Sequence, residues 1–191
     1  MIKATVELLA THSVIELAAT DITARAGLSN AAFYVYFSDV YDALLAAAEA
    51  VDQSDPDLLQ LFDQPWTGST ARDSATRVVE RYFSIWDAHR PVLRARNLAA
   101  DEGLGAFVKQ RQLALGPFRL ALERQIVRSQ ASGRLPERLE KSAVASALVA
   151  LLDRTGAVRP VYIGFGQDWT TEYAAAVVHI VLSGLGFAKI R

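Results

Sequence analysis

Cysteine is absent from this 191-residue chain. That excludes disulfides, thiolate metal sites and cysteine nucleophiles. Histidine is scarce. His12, His89 and His179 stand too far apart for metal-ligand spacing, so no metal and no cofactor are expected. Neither a Gly-rich phosphate loop nor a nucleophile elbow is present. Asp101 and Glu102 are adjacent acids in a turn, so no catalytic residue is assigned and an enzyme is not expected. Neither sign of charge dominates, with a net charge of −1. Long apolar runs are lacking too. The longest, 174–188, is interrupted by His179, Ser183, Gly184 and Gly186, and a bilayer needs roughly 20 apolar residues. The opening MIKATVELLATHS carries Glu7 and His12 in an amphipathic pattern and has no signal-peptide cleavage site. A soluble, cytoplasmic protein with no membrane partner is expected.

What is present is a large apolar fraction, 51% hydrophobic against 21% charged. That is enough for a substantial core. Nearly every segment shows the helical period of 3.6, and no alternating strand stands out, so the fold class is all-α. Residues 2–12 set Ile2, Val6 and Leu9 on one face. A short helix from Ala18 to Ala26 ends at Gly27, and Ser29 caps the next, which runs to about Phe37. Ser38 and Asp39 cap a fourth helix through Val51, with Tyr41, Leu44, Leu45 and Ala48 on one side. Residues 53–69 form a linker with a short helical piece. A long helix from Ser69 or Thr70 ends near His89, and Pro91 starts another. After a turn at 101–105, a helix runs from about Leu104 to Ser132, bent or split at Gly116-Pro117, and Gly133 ends it. Ser142–Thr155 is helical, 156–168 reads as a loop, and Trp169–Phe187 is the last helix. The total is about nine helices: a small N-terminal domain, 1–51, and a larger C-terminal domain, 52–191.

The stretch 22–37, ITARAGLSNAAFYVYF, joins two short helices through a tight turn. Together with a third helix it makes a helix-turn-helix. Gly27 supplies the positive φ that the turn requires. Leu28 is expected to plug the small core beneath it. The second helix is short enough to enter a major groove about 12 Å wide. Ala31 and Ala32 allow close approach to bases or sugar. Tyr34 and Tyr36 offer phenols to phosphate oxygens, while Phe33 and Phe37 pack inward.

ITARAGLSNAAFYVYFSDVYDALL resembles the signature of the TetR family of transcriptional regulators. The matching features are Ile22, the turn from Arg25 through Ser29, Tyr34 three residues before Phe37, and the pair Leu44-Leu45. The match covers about the first 50 residues. The resemblance implies a homodimer with an N-terminal DNA-binding domain and a C-terminal domain that binds a small molecule and releases the operator. It puts Ser29, Asn30, Ala31, Ala32, Tyr34 and Tyr36 on the recognition helix. Thr20 and Arg25 fall on the helix that crosses the DNA backbone, Thr20 to bond a phosphate and Arg25 to pair with one.

Four features differ from that family's pattern. Ala18 stands where a Thr cap is usual, Ala31-Ala32 where Gly-Thr is usual, and Val40 where a phosphate-binding Lys is common. The sequence also begins at Met1 inside the first helix, leaving open a basic arm upstream in the reading frame. Charge is the other contrast. Residues 1–51 hold two basic side chains, Lys3 and Arg25, against six acidic ones, net −4. DNA affinity depends largely on phosphate neutralisation. Glu7 and Glu49 are expected to face away from DNA, whereas Asp21 and Asp39 lie near the expected backbone contacts. Two readings therefore stay open: a ligand-responsive repressor, or a dimeric small-molecule-binding protein of the same fold with weak or lost DNA binding.

In the C-terminal domain, Phe83, Trp86, Phe107 and Phe118 are candidate walls of an apolar effector pocket, and Arg94 or Asn97 its polar contacts. The effector is expected to be small and largely hydrophobic. Aromatics at helical spacing also read as plain core. His89 suits a helix C-terminus, and His179 an interior or interface position. The segments 142–155 and 169–187 are more apolar than one buried face requires, which predicts an isologous four-helix dimer contact. Ala175, Ser183 and Gly184 are small enough for close approach there.

Overall fold

The computed structural model describes residues 1–52, 55–162 and 167–187. Among them are nine helices and no strand: α1 (Ile2–Leu9), α2 (Ala19–Ala26), α3 (Asn30–Tyr36), α4 (Val40–Asp52), α5 (Pro56–Gln60), α6 (Ala71–Asp101), α7 (Gly105–Ala131), α8 (Lys141–Tyr162) and α9 (Gln167–Gly184). The all-α expectation holds. By packing, the chain divides into two units: Met1–Ser54 with His89–Ala114, and Asp55–Ala88 with Leu115–Arg191.

In the first unit α1 packs on α2 and α4, and α2 on α3. Its small core gathers Ala4, Leu17, Ile22, Phe33 and Ala43, with Leu8, Ala26, Phe37 and Val40 against it. Ile22 and Phe33 are completely buried; each such side chain contributes about 1.5–3 kcal/mol. The buried face of α1 is Ala4, Thr5 and Leu9 rather than Ile2, Val6 and Leu9. Ile2 is left 38% exposed. Small side chains at 4 and 5 let α2 and α4 approach α1 closely, and a bulky Ile would hold them off.

Caps mark the helix starts. Ser29 Oγ accepts from Ala32 N–H at 3.3 Å. Asp39 accepts from Asp42 N–H at 2.8 Å, and Asp42 reaches back to Ser38 N–H at 3.0 Å, a reciprocal box before α4. Ala18 has no side-chain acceptor to offer α2. Instead Asp21 accepts from Ala18 N–H at 2.9 Å. The acids at 21, 39 and 42 are therefore helix-start residues, where the dipole favours negative charge.

In the second unit an aromatic file forms the core. Phe62 stacks on Trp66 at 5.4 Å and meets Phe118 edge-on at 5.6 Å, and Phe118 stacks on Tyr82 at 5.2 Å. Gln125, almost fully buried, accepts from Trp66 N–H at 3.4 Å and donates to the Gln64 carbonyl at 3.2 Å. This amide ties the 61–66 connection to α7. Asp55 accepts from Leu58 N–H and from Arg81 Nε, fixing the start of α5. The end of α9 is held by Ser129 Oγ, which donates to the Leu185 carbonyl at 2.7 Å.

The expected helix end near His89 and restart at Pro91 hold: the span α6 is two helices meeting at a kink, with non-helical φ −124°, ψ 16° at His89. Pro91 follows in the first turn after the kink, where its missing N–H costs little. At Gly116-Pro117, α7 continues. The expected loop at 156–168 is helical through Tyr162; 163–166 lies outside the described residues. Gly156 faces Trp86 so closely that a Cβ there would meet the indole at 2.4 Å. That glycine serves a helix contact, not a turn.

Candidate functional site

The turn between α2 and α3 is closed by Gly27 at φ 67°, ψ 33°. Leu28 N–H bonds back to the Thr23 carbonyl at 2.9 Å. The Leu28 side chain is 46% exposed and does not plug the core. Ile22 and Phe33 already fill that volume.

α3 divides cleanly by exposure. Phe33 is fully buried, while Tyr34, Val35 and Tyr36 are 64%, 76% and 70% exposed. One buried aromatic thus anchors a seven-residue helix whose other rings face water. The Tyr34 ring sits edge-on to Phe33 at 5.4 Å, and Phe33 lies 5.5 Å from Phe37. Phe37 packs partly inward, as expected. Ser29, Asn30 and Ala31 are exposed, and Ala32 is half-buried. Thr20 and Arg25 on α2 are exposed. All eight positions assigned from the sequence therefore lie in the α2–turn–α3 segment, seven of them open to solvent.

One residue of this region, Thr23, was not singled out from the sequence. Thr23 is buried, with its Oγ1 3.1 Å from both Asn30 Oδ1 and the Thr20 carbonyl oxygen, which share its one proton. Glu7 was expected to face away from DNA. Its Oε2 lies 2.5 Å from Arg25 Nη2, and its Oε1 lies 3.9 Å from Lys3 Nζ. The Lys3 contact is the i,i+4 pair of one helix and is readable in the sequence, whereas the Arg25 contact is not, because α1 and α2 meet only in the folded unit.

The six candidate effector residues fall in both packing units. In the first, Phe107 is buried and meets Tyr41 edge-on at 6.1 Å. Arg94 is exposed, and Asn97 accepts from Arg96 Nε at 3.1 Å. Burial, and then the charge of Arg94, lowers the pKa of Arg90. In the second unit Phe118 belongs to the aromatic core, and Phe83 and Trp86 are buried. The Arg159 guanidinium stands 5.0 Å over the Phe83 ring and pairs with Asp87. Arg159 Nε is buried with no hydrogen-bond partner among the described residues. Burial lowers this guanidinium's pKa. Tyr82 donates to Asp153 at 3.1 Å. The structure thus groups Phe83 and Trp86 with Tyr82, Asp153 and Arg159. Arg159 was missed because its segment read as a loop, although 148, 152, 155 and 159 continue one helical face.

On α8 and α9, Leu148, Leu152, Val177, Val178, Val181 and Leu182 are buried within the chain. The opposite faces carry exposed Ala143, Ala147, Ala150, Ala175, Ala176, His179 and Ile180. Gly184 lies against Leu148 of its own chain, where a Cβ would come within 2.9 Å. No helix among the described residues is long and apolar enough to cross a membrane, and none of their acidic and histidine side chains cluster as a metal site would need.

A helix-turn-helix with an exposed second helix, on an otherwise all-helical chain, defines the class: a helix-turn-helix regulator fold. The chain belongs to the TetR family. A family model described as "Tetracyclin repressor-like, C-terminal domain" matches residues 58–190. Among solved structures, the transcriptional regulator FadR from Bacillus subtilis in complex with stearoyl-CoA is similar at TM-score 0.73 and 18% identity, covering 96% of both chains. The fatty acid degradation regulator FadR from Bacillus halodurans is similar at TM-score 0.70 and 15% identity, over 95% of this chain and 92% of that one. A TetR/AcrR-family regulator from Thermobifida fusca is similar at TM-score 0.67 and 17% identity, over 96% and 94%. At these identities the likeness is one of fold. No curated protein matches the chain. The resemblance read from the first 50 residues and the family match over 58–190 rest on different parts of the chain, and they agree.

Proposed function

We propose that this TetR-family regulator is a repressor that binds operator DNA as a homodimer and is released by a small, largely apolar effector. The observation that carries this reading is α3. Its one fully buried ring, Phe33, holds Asn30, Ala31, Tyr34 and Tyr36 out to solvent, on a helix short enough for a major groove. Ser29, Asn30, Ala31, Ala32, Tyr34 and Tyr36 form the reading surface, and Thr20 and Arg25 contact phosphates. Residues 1–51 are the DNA-binding part, and 52–191 bind the effector and form the dimer. The exposed alanine-rich faces of α8 and α9 pair with their copies in a second subunit, and binding to successive major grooves requires the two α3 helices to stand about 34–36 Å apart, one DNA turn. In the second unit Phe83, Trp86 and Phe118 supply apolar effector contacts and Arg159 a polar one. The stearoyl-CoA of the Bacillus subtilis relative makes acyl compounds the first effectors to try. The site of action is the cytoplasm.

The test is a binding titration on duplexes flanking the gene, across salt concentrations, with sedimentation to count subunits. Saturable, sequence-selective binding by a dimer is the expected result. A monomer, or binding indifferent to sequence, overturns the reading. One observation favours the second reading, a dimeric small-molecule-binding protein with weak DNA binding: residues 1–51 carry net charge −4, and both of their cations lie beside Glu7.

A further inference from the structure

Residues 1–51 contain six acids, and four have a local task. Asp21 accepts from Ala18 N–H, Asp39 from Asp42 N–H, Asp42 from Ser38 N–H, and Glu16 from Ser13 N–H. These carboxylates are taken up by backbone donors at helix and turn starts, where negative charge is favoured.

Glu7 differs. One oxygen lies 2.5 Å from Arg25 Nη2 and the other 3.9 Å from Lys3 Nζ. Lys3 and Arg25 are the only basic residues of the segment. A single carboxylate therefore lies beside both of these side chains. The three side chains are accessible, at 91% for Lys3, 56% for Arg25 and 36% for Glu7, so exchange of partners needs no unfolding.

We propose that Glu7 is an intramolecular competitor of the DNA phosphate: it holds Arg25 and Lys3, and so sets both the affinity and the salt dependence of operator binding. The inference rests on the reading of α2–α3 as the DNA face. The sequence-independent part of DNA affinity scales with the number of phosphates neutralised. A cation already paired must give up its carboxylate before it counts fully, and the carboxylate then remains beside the phosphate. An exposed ion pair is weak, so the exchange is possible but lowers affinity several-fold. What remains is discrimination by neutral groups, the Asn30 amide and the Tyr34 and Tyr36 phenols. Because non-specific genomic sites compete in very large excess, a regulator with suppressed phosphate binding keeps a high specificity ratio.

The test compares the full-length protein with Glu7→Gln on flanking-DNA duplexes between about 50 and 200 mM salt. Glu7→Gln should bind about fivefold tighter at the low end, with a log–log salt slope steeper by about one unit. Glu49→Gln makes the same change in net charge on α4 and should stay within about twofold of wild type, since charge on a remote exposed site is screened. Adding Arg25→Ala to Glu7→Gln should remove most of the gain. Equal gains from Glu7→Gln and Glu49→Gln would make the effect one of net charge and overturn the inference. So would a wild-type slope already near −3.6, the value for four unencumbered cations per dimer at about −0.9 each; that measurement needs no variant. If wild type binds selectively and Glu7→Gln matches it, the DNA face stands and only the inference fails. If neither protein binds any duplex at low salt, the DNA face itself is wrong.

Discussion

The indole of Trp86 lies directly against Gly156 of α8, where a Cβ would come within 2.4 Å of Trp86 Cδ1. Trp86 is almost fully buried and cannot retreat into solvent. Gly156→Ala would gain up to about 1 kcal/mol of helix propensity, but the ring has to move, and overpacking costs about 1–3 kcal/mol. The clash wins. A lower thermal midpoint is expected in calorimetry, and an unchanged or raised midpoint would show that Trp86 has room to shift.

Gln125 makes its bonds inside the second unit, to Trp66 N–H and to the Gln64 carbonyl. Gln125→Leu keeps the approximate volume but strands those backbone groups. Each unsatisfied buried group costs about 1–3 kcal/mol. Urea denaturation should show a loss of about 2–4 kcal/mol, and chymotrypsin should cut the 61–66 connection, at Leu61 or Phe62, faster.

Tyr34→Ala and Tyr36→Phe remove exposed groups that carry none of the core. Operator affinity should fall, by roughly threefold to tenfold for each lost contact, while the melting temperature and the sedimenting mass stay at wild-type values. Equal loss of the dimer would show that these side chains have a different role.

Glu140 precedes α8 and accepts from Ala143 N–H at 2.9 Å. The Ser142 hydroxyl bond, then the Ala143 bond, hold its carboxyl below the ordinary value of 4.5. A depressed folded-state pKa adds stability that is present above the unfolded value and lost as pH falls through the folded one. Glu140→Gln should therefore lower the melting temperature at pH 7, and the gap to wild type should close as pH drops below 4.5. A gap that persists in acid would mean that the bonds act without the charge.

Ile180 is 47% exposed on α9 beside exposed Ala176 and His179. If this face meets its copy, Ile180→Asp buries a charge on each side of the two-fold axis. Dissociation by about 10-fold or more is expected, read by analytical ultracentrifugation, with helicity by circular dichroism unchanged. A dimer that survives the change would move the interface elsewhere.

Helix existence and the turn were readable from the chain because both are local. Gly27 takes a positive φ, and Ser29 and Asp39 cap. The errors came where a residue type has two uses. Gly156 read as a loop signal and is a contact point. Leu28 read as a core plug and faces water, because Phe33 and Ile22 already occupy that space. In the effector region, Phe118 and Phe107 looked alike in sequence, yet they pack in different units. Arg159 went unnoticed for want of a continuous helix in the reading.

The amino-acid order by itself determined the all-helical class, the corner at Gly27, and the alternation that leaves Tyr34 and Tyr36 outside while Phe33 goes in. These follow from backbone sterics and from the helical period, which act over a few residues. Only the tertiary structure decided that Glu7 reaches Arg25, that Trp86 needs a glycine at 156, and that Gln125 reaches back to residue 66. Such pairs are separated by 18 to 70 positions, and their meeting depends on how whole helices pack, which local chemistry does not specify.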